Sequence, residues 1–494
     1  MLRFNVPLLL LLSPMLARAA PVSPYSQLEW THCEANATST LLDCATLQVP
    51  MNWLDPTGEQ ITLDITRLRT NSPKRIGSLF VNPGGPGGAA AELCEGQARD
   101  PALYSQTLQD HYDIICPDPR GVGKSSRVEC DPKLWAETPS YFVEDEASFQ
   151  KILEFNKRLG ADCLSRTGPL MGFVDTTNAA KDLEAIRTAL GEEKLNWLGW
   201  SYGTQLGAAY AELFPEKVGN MVLDGAVDHS MRELEGFVMT NWAMEDEMRR
   251  FFDWCNSNTT CAIYGEWDSA DLWDGMVAEA NRNPIPAPGC LPDADTESAG
   301  RCQATVTGYD LIFNLENNFM SPNEWIWVSN AMNESLNGNA TLLSRPDPVP
   351  GTGVDYPNLA IGCLDWQPNS TTYDEHIALQ NLGSAMFPHN LGSGMSMQFA
   401  TTCIGWPFKP TNPQHWLDPA KMALAPPILV VNSEHDPATP ISWAHGLIRQ
   451  IPKGVLLTRT GDGHTSYVDN LAAREIMDAF LVNGTLPAPN TIVE

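Results

Sequence analysis

Ser201 lies between two glycines in the segment GWSYG, residues 199–203, directly after a short apolar run. This is the pattern G-x-S-x-G, which between a strand and a helix exposes the serine hydroxyl on a very tight turn. Bulky side chains at the two glycine positions would clash across that turn, which is why glycine is needed there. The pattern also occurs in ordinary Gly-Ser turns, and the neighbouring elements decide between the two interpretations.

A serine nucleophile needs a general base, and the base needs an acid that orients it. In the strand–turn–helix setting the expected chain order is serine, acid, histidine. Asp436 follows an apolar run in a loop bounded by prolines, and His464 follows the next apolar run. We therefore predict that Asp436 and His464 complete a catalytic triad with Ser201.

Three other residues compete for these roles. His435 is a rival base, but it precedes the acid in the chain. Asp224 is a rival acid because some enzymes of this architecture carry the acid one strand earlier, and Asp462 is too close to the histidine in sequence for a comfortable pairing. Non-catalytic explanations also exist: Asp436 could cap the helix that starts near Ile441, and a histidine in a glycine-rich loop is usually solvated.

Acyl transfer also requires an oxyanion hole, in which two backbone N–H groups face the position where negative charge develops. The residue after the serine, Tyr202, supplies one of them in this arrangement, and a loop after an earlier strand supplies the other. The segment NPGGPGG, residues 82–88, suits that role because glycines allow a close backbone approach. A plain glycine-rich turn is the alternative.

Apolar runs and helical periodicity alternate around these residues, which predicts an α/β fold. The predicted strands span residues 76–82, 112–118, 194–200, 218–225, 426–433 and 454–460. The predicted helices span residues 175–190, 202–214 and 441–450, followed by a closing helix after residue 465. Such alternation implies right-handed crossovers and a mostly parallel sheet flanked by helices.

Two of these helices carry more detailed expectations. Thr176 or Thr177 is expected to cap the start of the helix over 175–190, and Gly191 to end it. The closing helix has four apolar residues in register, namely Val468, Ala472, Ile476 and Phe480.

The alternation is lost between about residue 229 and residue 420. This stretch is rich in Trp and Met and is divided by Pro- and Gly-rich segments. Because a loop of that length without structure of its own is implausible, we interpret it as a mainly helical cap insertion over the sheet. The predicted organisation is a signal peptide over 1–19, a core part over 20–228, the cap over 229–420 and a second core part over 421–494.

The segment DPRGVGKSS, residues 118–126, resembles a phosphate-binding loop. The pattern G-x-x-x-x-G-K-[ST] requires glycine at position 118, where this chain has aspartate. We therefore expect no nucleotide binding.

The N-terminal residues indicate export. Arg3 precedes the apolar run over 6–12, and Ala17 and Ala19 fit cleavage after Ala19. That run is too short to span a bilayer, and no later stretch is long and apolar enough to do so. Six N-x-S/T sequons favour a secreted glycoprotein. They begin at Asn36, Asn258, Asn333, Asn339, Asn369 and Asn483.

The chain has 12 cysteines, an even number that suits an oxidising compartment. No C-x-x-C pair is present, so a zinc or redox site has little support. Sequence alone does not determine the connectivity of the cysteines. Spacing suggests five pairs: Cys33 with Cys44, Cys130 with Cys163, Cys255 with Cys261, Cys290 with Cys302, and Cys363 with Cys403.

The formal net charge is −29 and the sequence pI is near 4.6. Such an excess of negative charge argues against nucleic acid and anionic membranes as partners. It fits a protein that stays dispersed near neutral pH.

Several motifs together resemble the tripeptidyl-aminopeptidase-like branch of the prolyl aminopeptidase family, which are secreted serine peptidases of the α/β-hydrolase superfamily. The motifs are NPGGPGG, DPRGVGKS, LGWSYGTQLGAAYAELFP, MVLDGAVD, DPATP and GDGHT, and they occur in the family's order. The likeness runs through residues 30–228 and 421–485, and AIGCLDW with CIGWP extends it into the cap. It implies the α/β-hydrolase fold.

The resemblance also implies site roles and a substrate class. Ser201, Asp436 and His464 take the triad roles, and the amides of Gly85 and Tyr202 form the oxyanion hole. The implied activity is a peptidase acting at free peptide N-termini, without a metal or organic cofactor. Recognition of the substrate ammonium group requires carboxylates, for which the start of the cap offers several candidates. They are Glu233, Glu235, Glu245, Asp246 and Glu247, although a solvated helix face would explain the same residues.

Two other functions remain open at this point. A secreted esterase or small-metabolite hydrolase would use identical machinery on a small ester or amide, because this fold carries many activities. A binding protein on an inactive scaffold is disfavoured because all three triad residue types are present. Dehalogenase-like enzymes, which use an aspartate nucleophile, are disfavoured because the tight turn carries Ser201. The oligomeric state is left open.

Overall fold

The computed structural model describes residues 28–33, 41–99, 102–290, 302–316, 318–344 and 355–494. The predicted signal peptide over 1–19 and the sequon at Asn36 lie outside these residues. Within the described part, no helix combines the length and the apolar character needed to cross a bilayer.

The core is a ten-stranded sheet in the order β1-β2-β3-β5-β4-β6-β7-β10-β11-β12. The first six strands are β1 (Thr31–His32), β2 (Leu42–Pro50), β3 (Gln60–Leu68), β4 (Gly77–Asn82), β5 (Tyr112–Pro117) and β6 (Leu195–Trp200). The others are β7 (Val218–Asp224), β10 (Ile428–His435), β11 (Val455–Asp462) and β12 (Thr491–Val493), while β8 (Ile285–Pro286) and β9 (Thr305–Val306) form a separate pair.

In the order of the sheet, the seven strands from β5 to β12 are parallel to one another. The strands β1, β2 and β3 form an antiparallel edge, and β3 is antiparallel to β5. All six predicted strands are present within two residues of their expected bounds. The mostly parallel α/β sheet is therefore confirmed, and the antiparallel edge is an addition that the sequence analysis did not contain.

Sixteen α-helices lie within the described residues. The first eight are α1 (Ala91–Arg99), α2 (Gln106–His111), α3 (Pro132–Trp135), α4 (Glu146–Thr167), α5 (Thr176–Ala189), α6 (Tyr202–Leu213), α7 (Glu233–Ser257) and α8 (Ser269–Arg282). The others are α9 (Gly308–Glu316), α10 (Trp325–Leu336), α11 (Asp355–Asp365), α12 (Tyr373–Met386), α13 (Met395–Thr402), α14 (Pro419–Met422), α15 (Ile441–Ile448) and α16 (Leu471–Asn483).

Both faces of the parallel strands are buried, which explains why they are continuous apolar runs in the sequence. Along β10, Ile428 and Val430 pack in the cluster that contains α5 and α6. The alternate residues Leu429 and Val431 pack in a second cluster with Met477 and other residues of α16. The helices thus cover the sheet on both sides.

Two local expectations were wrong. The side chain that caps α5 is Asp175, which accepts a hydrogen bond from Asn178 N at 3.0 Å; neither threonine caps the helix. The closing helix starts only at Leu471, so Val468 precedes it and is exposed. The buried face of α16 is formed by Ala473, Met477, Phe480 and Leu481, so Phe480 is the one expected residue that is buried there.

Between β7 and β10 the chain forms α7 to α14 and the β8–β9 pair before it returns to the sheet. Part of this stretch has an apolar core of its own, which includes Phe251, Trp273, Leu311 and Val328. Its last part, with α11 and α13, joins the cluster on the sheet. The division into a core and a cap over 229–420 stays a prediction.

Six disulfides join all 12 cysteines. Five are the pairs suggested by spacing, and the sixth joins Cys94 to Cys116. The segment that resembles a phosphate-binding loop has a structural role: Arg120 is buried and donates to both carboxylate oxygens of Asp182 at 2.6 Å. Asp118 accepts from the backbone N–H groups of Ala91 and Lys124.

Candidate active site

Ser201 occupies the turn between β6 and α6, with φ 55° and ψ −127°. This is a rarely populated backbone region for a residue other than glycine, and such strain is typical of functional sites. A Cβ at Gly199 would lie 2.4 Å from Gly203 O, and a Cβ at Gly203 would lie 2.8 Å from Asn82 O. Both glycines are therefore required sterically, as the pattern predicted.

Asp436 and His464 are brought together from the ends of β10 and β11. His464 Nδ1 lies 2.9 Å from each carboxylate oxygen of Asp436. The same buried carboxylate accepts hydrogen bonds from Ala438 N at 2.9 Å, Thr439 N at 2.7 Å and Thr439 Oγ1 at 2.9 Å. These bonds hold the carboxylate in one orientation, so it presents a fixed acceptor to the imidazole.

The charge of His464 is controlled by several opposing effects. Burial disfavours the imidazolium, and the Arg459 guanidinium opposes it too, but the carboxylates of Asp436 and Asp224 outweigh both. The pKa of His464 is therefore raised above its usual value. With Nδ1 donating to Asp436, the neutral ring leaves Nε2 free to accept a proton.

The rival residues are engaged elsewhere. His435 Nδ1 lies 2.6 Å from Asp246 Oδ2, and Asp462 forms an ion pair with Arg250. Asp224 accepts backbone hydrogen bonds from the two residues at positions 466 and 467. None of these three rivals pairs with the imidazole of the candidate base in the way that the Asp436 carboxylate does.

Ser201, Gly85 and Tyr202 line one pocket. The exposed surface of its walls is largely apolar, although nine of the lining residues have polar side chains, among them the basic Arg232. The larger apolar side chains are Met231, Trp366, Phe399 and Trp443. The acidic ones are Asp228 and Glu233.

The glycine-rich segment after β4 lies directly against the turn that carries Ser201. A Cβ at Gly84 would lie 2.7 Å from Ser201 Cβ and 3.0 Å from Tyr202 N, and Gly84 has φ +96°. Only glycine can make this approach without displacing the turn. Gly85, the next residue in the chain, lines the same pocket as Ser201.

Of the five acidic residues considered at the start of the cap, only Glu233 lines the pocket. Glu235 accepts from the backbone at the start of its own helix, and Glu245 accepts from the backbone of residues 389 and 390. Asp246 pairs with a histidine, and Glu247 is buried beside Asp462.

Asp228 is a pocket residue that the sequence analysis missed. Its Oδ1 accepts from Ser230 Oγ at 2.6 Å and Gln450 Nε2 at 2.8 Å, while its buried Oδ2 has no partner among the described residues. Its position four residues after the end of β7, in the quoted motif MVLDGAVD, was the available signal.

A second missed group lies behind Tyr202. The buried carboxylate of Asp365 accepts from Thr176 N at 3.1 Å, Asn412 Nδ2 at 2.9 Å and Gln205 Nε2 at 3.2 Å. Thr176 Oγ1 in turn contacts the hydroxyl of Tyr202. Burial raises the pKa of Asp365 to about 7. This network joins α11 to the helix that begins at the nucleophile turn.

Comparison with known proteins agrees with the fold. Residues 77–267 match the alpha/beta hydrolase fold family, and residues 388–492 match the family described as TAP-like protein. The chain is 29% identical to serine protease Hip1 of Mycobacterium tuberculosis, over 95% of this chain and 92% of that protein. It is 27% identical to a tripeptidyl aminopeptidase of Streptomyces lividans, over 96% and 87%. It is 28% identical to carboxylesterase B of Mycobacterium tuberculosis, over 95% and 90%.

The sheet topology and the serine turn define an α/β hydrolase. Within that class, residues 388–492 match the TAP-like family, and the whole chain is similar to serine peptidases.

Proposed function

We propose that this serine peptidase is an exported aminopeptidase that cleaves behind free peptide N-termini, with Ser201 as nucleophile, His464 as base and Asp436 as the orienting acid. The observation that carries the proposal is the pairing of His464 Nδ1 with Asp436 at 2.9 Å, linked to the strained serine turn through Asp224, which accepts hydrogen bonds from Ser201 N and Ser466 N. The buried acid fixes the tautomer of the base. A solvated loop histidine would have no partner that fixes its tautomer.

In the proposed mechanism His464 Nε2 takes the hydroxyl proton as Ser201 Oγ attacks the substrate carbonyl carbon. The N–H groups of Gly85 and Tyr202 stabilise the negative oxygen of the tetrahedral intermediate. When the C–N bond breaks, the leaving amine receives the proton from the imidazolium. Water then attacks the acyl-enzyme by the same route and releases the N-terminal product.

One of the two acidic residues in the pocket supports the choice of an aminopeptidase. A free N-terminus carries an ammonium group, and in a largely apolar pocket only a carboxylate compensates its desolvation. Both acids line the pocket that contains Ser201. The unpartnered Oδ2 of Asp228 is buried against Gly446 of α15, so Asp228 borders the pocket without offering it a free oxygen, and Glu233 is the carboxylate that can pair with the ammonium group. Glu233 is held in place by backbone N–H groups of Asn369 and Ser370.

We further propose that residues 229–420 are the cap that completes this pocket, as the sequence predicted. This stretch supplies Glu233, Trp366 and Phe399 to the walls, while the sheet supplies the candidate catalytic groups. A pocket closed by the cap on one side restricts how much peptide can enter past the scissile bond.

Export is supported by six disulfides, since such bonds persist in oxidising compartments. The signal-like residues 1–19 and the sequons agree with it. The five sequon asparagines within the described residues are all at least partly exposed. N-terminal sequencing of protein from the culture medium tests the removal of residues 1–19. A loss of mass on treatment with an N-glycosidase tests glycosylation of the sequons.

The test of the activity compares wild type with Ser201→Ala on three kinds of substrate. They are peptide p-nitroanilides with free N-termini, the same compounds acetylated at the N-terminus, and p-nitrophenyl acetate. We expect Ser201-dependent release from the free anilides and little from the acetylated ones. Equal activity of Ser201→Ala would show that the nucleophile is wrong.

A carboxylesterase is the second candidate, because one similar protein carries that name and the pocket walls are largely apolar. The same experiment separates the two. Hydrolysis of p-nitrophenyl acetate without any hydrolysis of the anilides would overturn the peptidase specificity and favour the esterase.

A further inference from the structure

His464 lies in a short loop with an unusual backbone, residues 461–467, here called the His464 loop. Gly461 and Gly463 have φ of +102° and +97°, and Thr465 has φ +65°. A β-branched residue in this region is strained, so the surroundings must hold the loop in place.

Arg459 holds the loop from one side. The side chain is 5% exposed, and its guanidinium donates to Asp462 O at 2.9 Å, Gly463 O at 3.0 Å and Thr465 O at 2.9 Å. Three carbonyls of the loop are thus bound by one planar group on β11. The rigid fork of donors explains why arginine suits this position.

Asp224 holds the loop from the other side. It is fully buried, and its Oδ2 accepts from Ser466 N and Tyr467 N, both at 2.9 Å. Its main-chain oxygen accepts from Ser201 N at 2.9 Å. One residue at the end of β7 therefore connects the nucleophile turn with the loop that carries the base.

The two groups also carry opposite charges next to the imidazole. The Asp224 carboxylate favours the imidazolium of His464, and the Arg459 guanidinium disfavours it. Burial raises the pKa of Asp224 to about 6, so its carboxyl is mostly ionised at neutral pH and above. The other charged groups at this site are Asp436, which faces the ring, and Arg250 and Glu247 of the cap, which border Asp462.

We propose that Arg459 and Asp224 are positioning residues of opposite charge that hold the His464 loop from opposite sides. This inference rests on the proposed function, in which His464 is the base that activates Ser201. It assigns a role to Asp224, which sequence analysis had considered only as a rival acid.

The test measures the rate of inactivation of the full-length protein by diisopropyl fluorophosphate between pH 5 and pH 9. The probe forms a bond from Ser201 Oγ to phosphorus as fluoride leaves, and the hydroxyl proton goes to His464, so the rate falls when the base is protonated. It requires no knowledge of the peptide substrate. The variants are Asp224→Asn and Arg459→Gln, with Arg474→Gln as matched control.

Arg474 is a suitable control because it also donates to backbone carbonyls, those of Tyr467 at 2.7 Å and Val468 at 3.1 Å. Tyr467 is the last residue of the His464 loop, and Val468 lies beyond it. Arg474→Gln therefore removes an arginine contact that follows the imidazole in the chain, while the contacts of Arg459 and Asp224 stay in place. We expect Arg474→Gln to keep the wild-type profile, apart from any loss of thermal stability.

We expect the acid limb of Asp224→Asn to move to lower pH and that of Arg459→Gln to move to higher pH, each by about half a unit to one unit. The plateau rate of both falls by about tenfold or more because the loop loses a support. Shifts in the same direction, or wild-type profiles in both variants, would overturn the inference.

Arg459→Lys distinguishes the proposed effect on the loop from a general folding defect. It keeps the positive charge but cannot reproduce the three-carbonyl geometry, so the plateau is expected to fall while the midpoint stays at the wild-type pH. A shifted midpoint in this variant would contradict the separate effects of charge and geometry.

Normal wild-type inactivation without peptide hydrolysis would count only against the aminopeptidase, whereas failure to label Ser201 would overturn both proposals.

Discussion

His435 and Asp436 are consecutive in the chain, yet their side chains pair with different parts of the molecule. Asp436 accepts from His464 Nδ1 at 2.9 Å, while His435 Nδ1 lies 2.6 Å from Asp246 on α7. The parallel pairing of β10 with β11 shifts register at this point. At the end of β10, Asp436 thus faces the candidate base, while His435, the residue before it, faces α7.

This relationship predicts very different costs for two neighbouring substitutions. Asp436→Asn should lower kcat by about 10⁴-fold, because an amide no longer selects the productive tautomer of His464. His435→Gln should keep kcat within a few-fold, because it loses a contact to the cap alone. Hydrolysis of p-nitrophenyl acetate by both variants checks this, and an equally large loss in His435→Gln would point to the wrong histidine.

Gly84→Ala should damage the site although it adds a single methyl group. That methyl would lie 2.6 Å from Trp200 O and 2.7 Å from Ser201 Cβ, and the backbone has φ +96°. We expect kcat/KM to fall by about 10²-fold or more, since displacement of a nucleophile by about 1 Å has that effect. Gly96→Ala is the control, because a Cβ there meets nothing within 4 Å. Similar losses in both variants would argue against the close approach.

Glu233→Gln should weaken the use of free N-termini selectively. Loss of the charge facing the ammonium group should lower kcat/KM for free p-nitroanilides by about 10- to 100-fold, while hydrolysis of p-nitrophenyl acetate is retained. Glu235→Gln is the matched control, two residues away and outside the pocket. If both substrates lose activity equally in Glu233→Gln, the residue supports the pocket without selecting the substrate.

Stability should fall as pH rises, partly because of Glu247. Burial raises the pKa of this carboxyl from its usual 4.5 to about 9 in the folded protein. Between these values the folded state retains a proton that the unfolded state loses, so folding becomes less favourable with increasing pH. Thermal unfolding of Glu247→Gln from pH 5 to pH 9 should show a flatter dependence than wild type. The exposed Glu266→Gln should retain the wild-type slope.

Removal of the Cys363–Cys403 disulfide should cost more than removal of Cys255–Cys261. The first closes 40 residues and the second only 6. In the chain-entropy account the longer loop contributes more, with about 2–4 kcal/mol typical of such bonds. Double alanine variants compared by thermal unfolding check the order, and a larger loss for the shorter loop would contradict it.

Much of the core was predictable because parallel strands buried on both faces leave continuous apolar runs. The turn around Ser201 was predictable because steric crowding demands glycine at 199 and 203. Spacing also suggested five of the six disulfides. The roles of Asp436 and His464 followed from chain order, and they stay predictions until the variants are measured.

Other features have no local signal in the sequence. The register of α16 was wrong because residues 466–470 form turns, so Val468 belongs to no helix. Asp175 displaced Thr176 as the α5 cap because the threonine binds Asp365, a contact across 189 residues. Which of the acidic cap residues reaches the pocket depends on how α7 lies over the sheet, and helical periodicity alone does not determine that.

The positions of the cysteines have a consequence for how the site is held together. All six disulfides lie before residue 404, and the chain from 421 to the end contains no cysteine. A cut by a protease between 404 and 427 would therefore release a tail that bears Asp436 and His464, with no covalent link to Ser201. Noncovalent contacts alone would keep the two pieces together, among them the pairing of β7 with β10 and the ion pair of Arg250 with Asp462. The enzyme could then exist as a nicked, active two-chain form that denaturant alone separates.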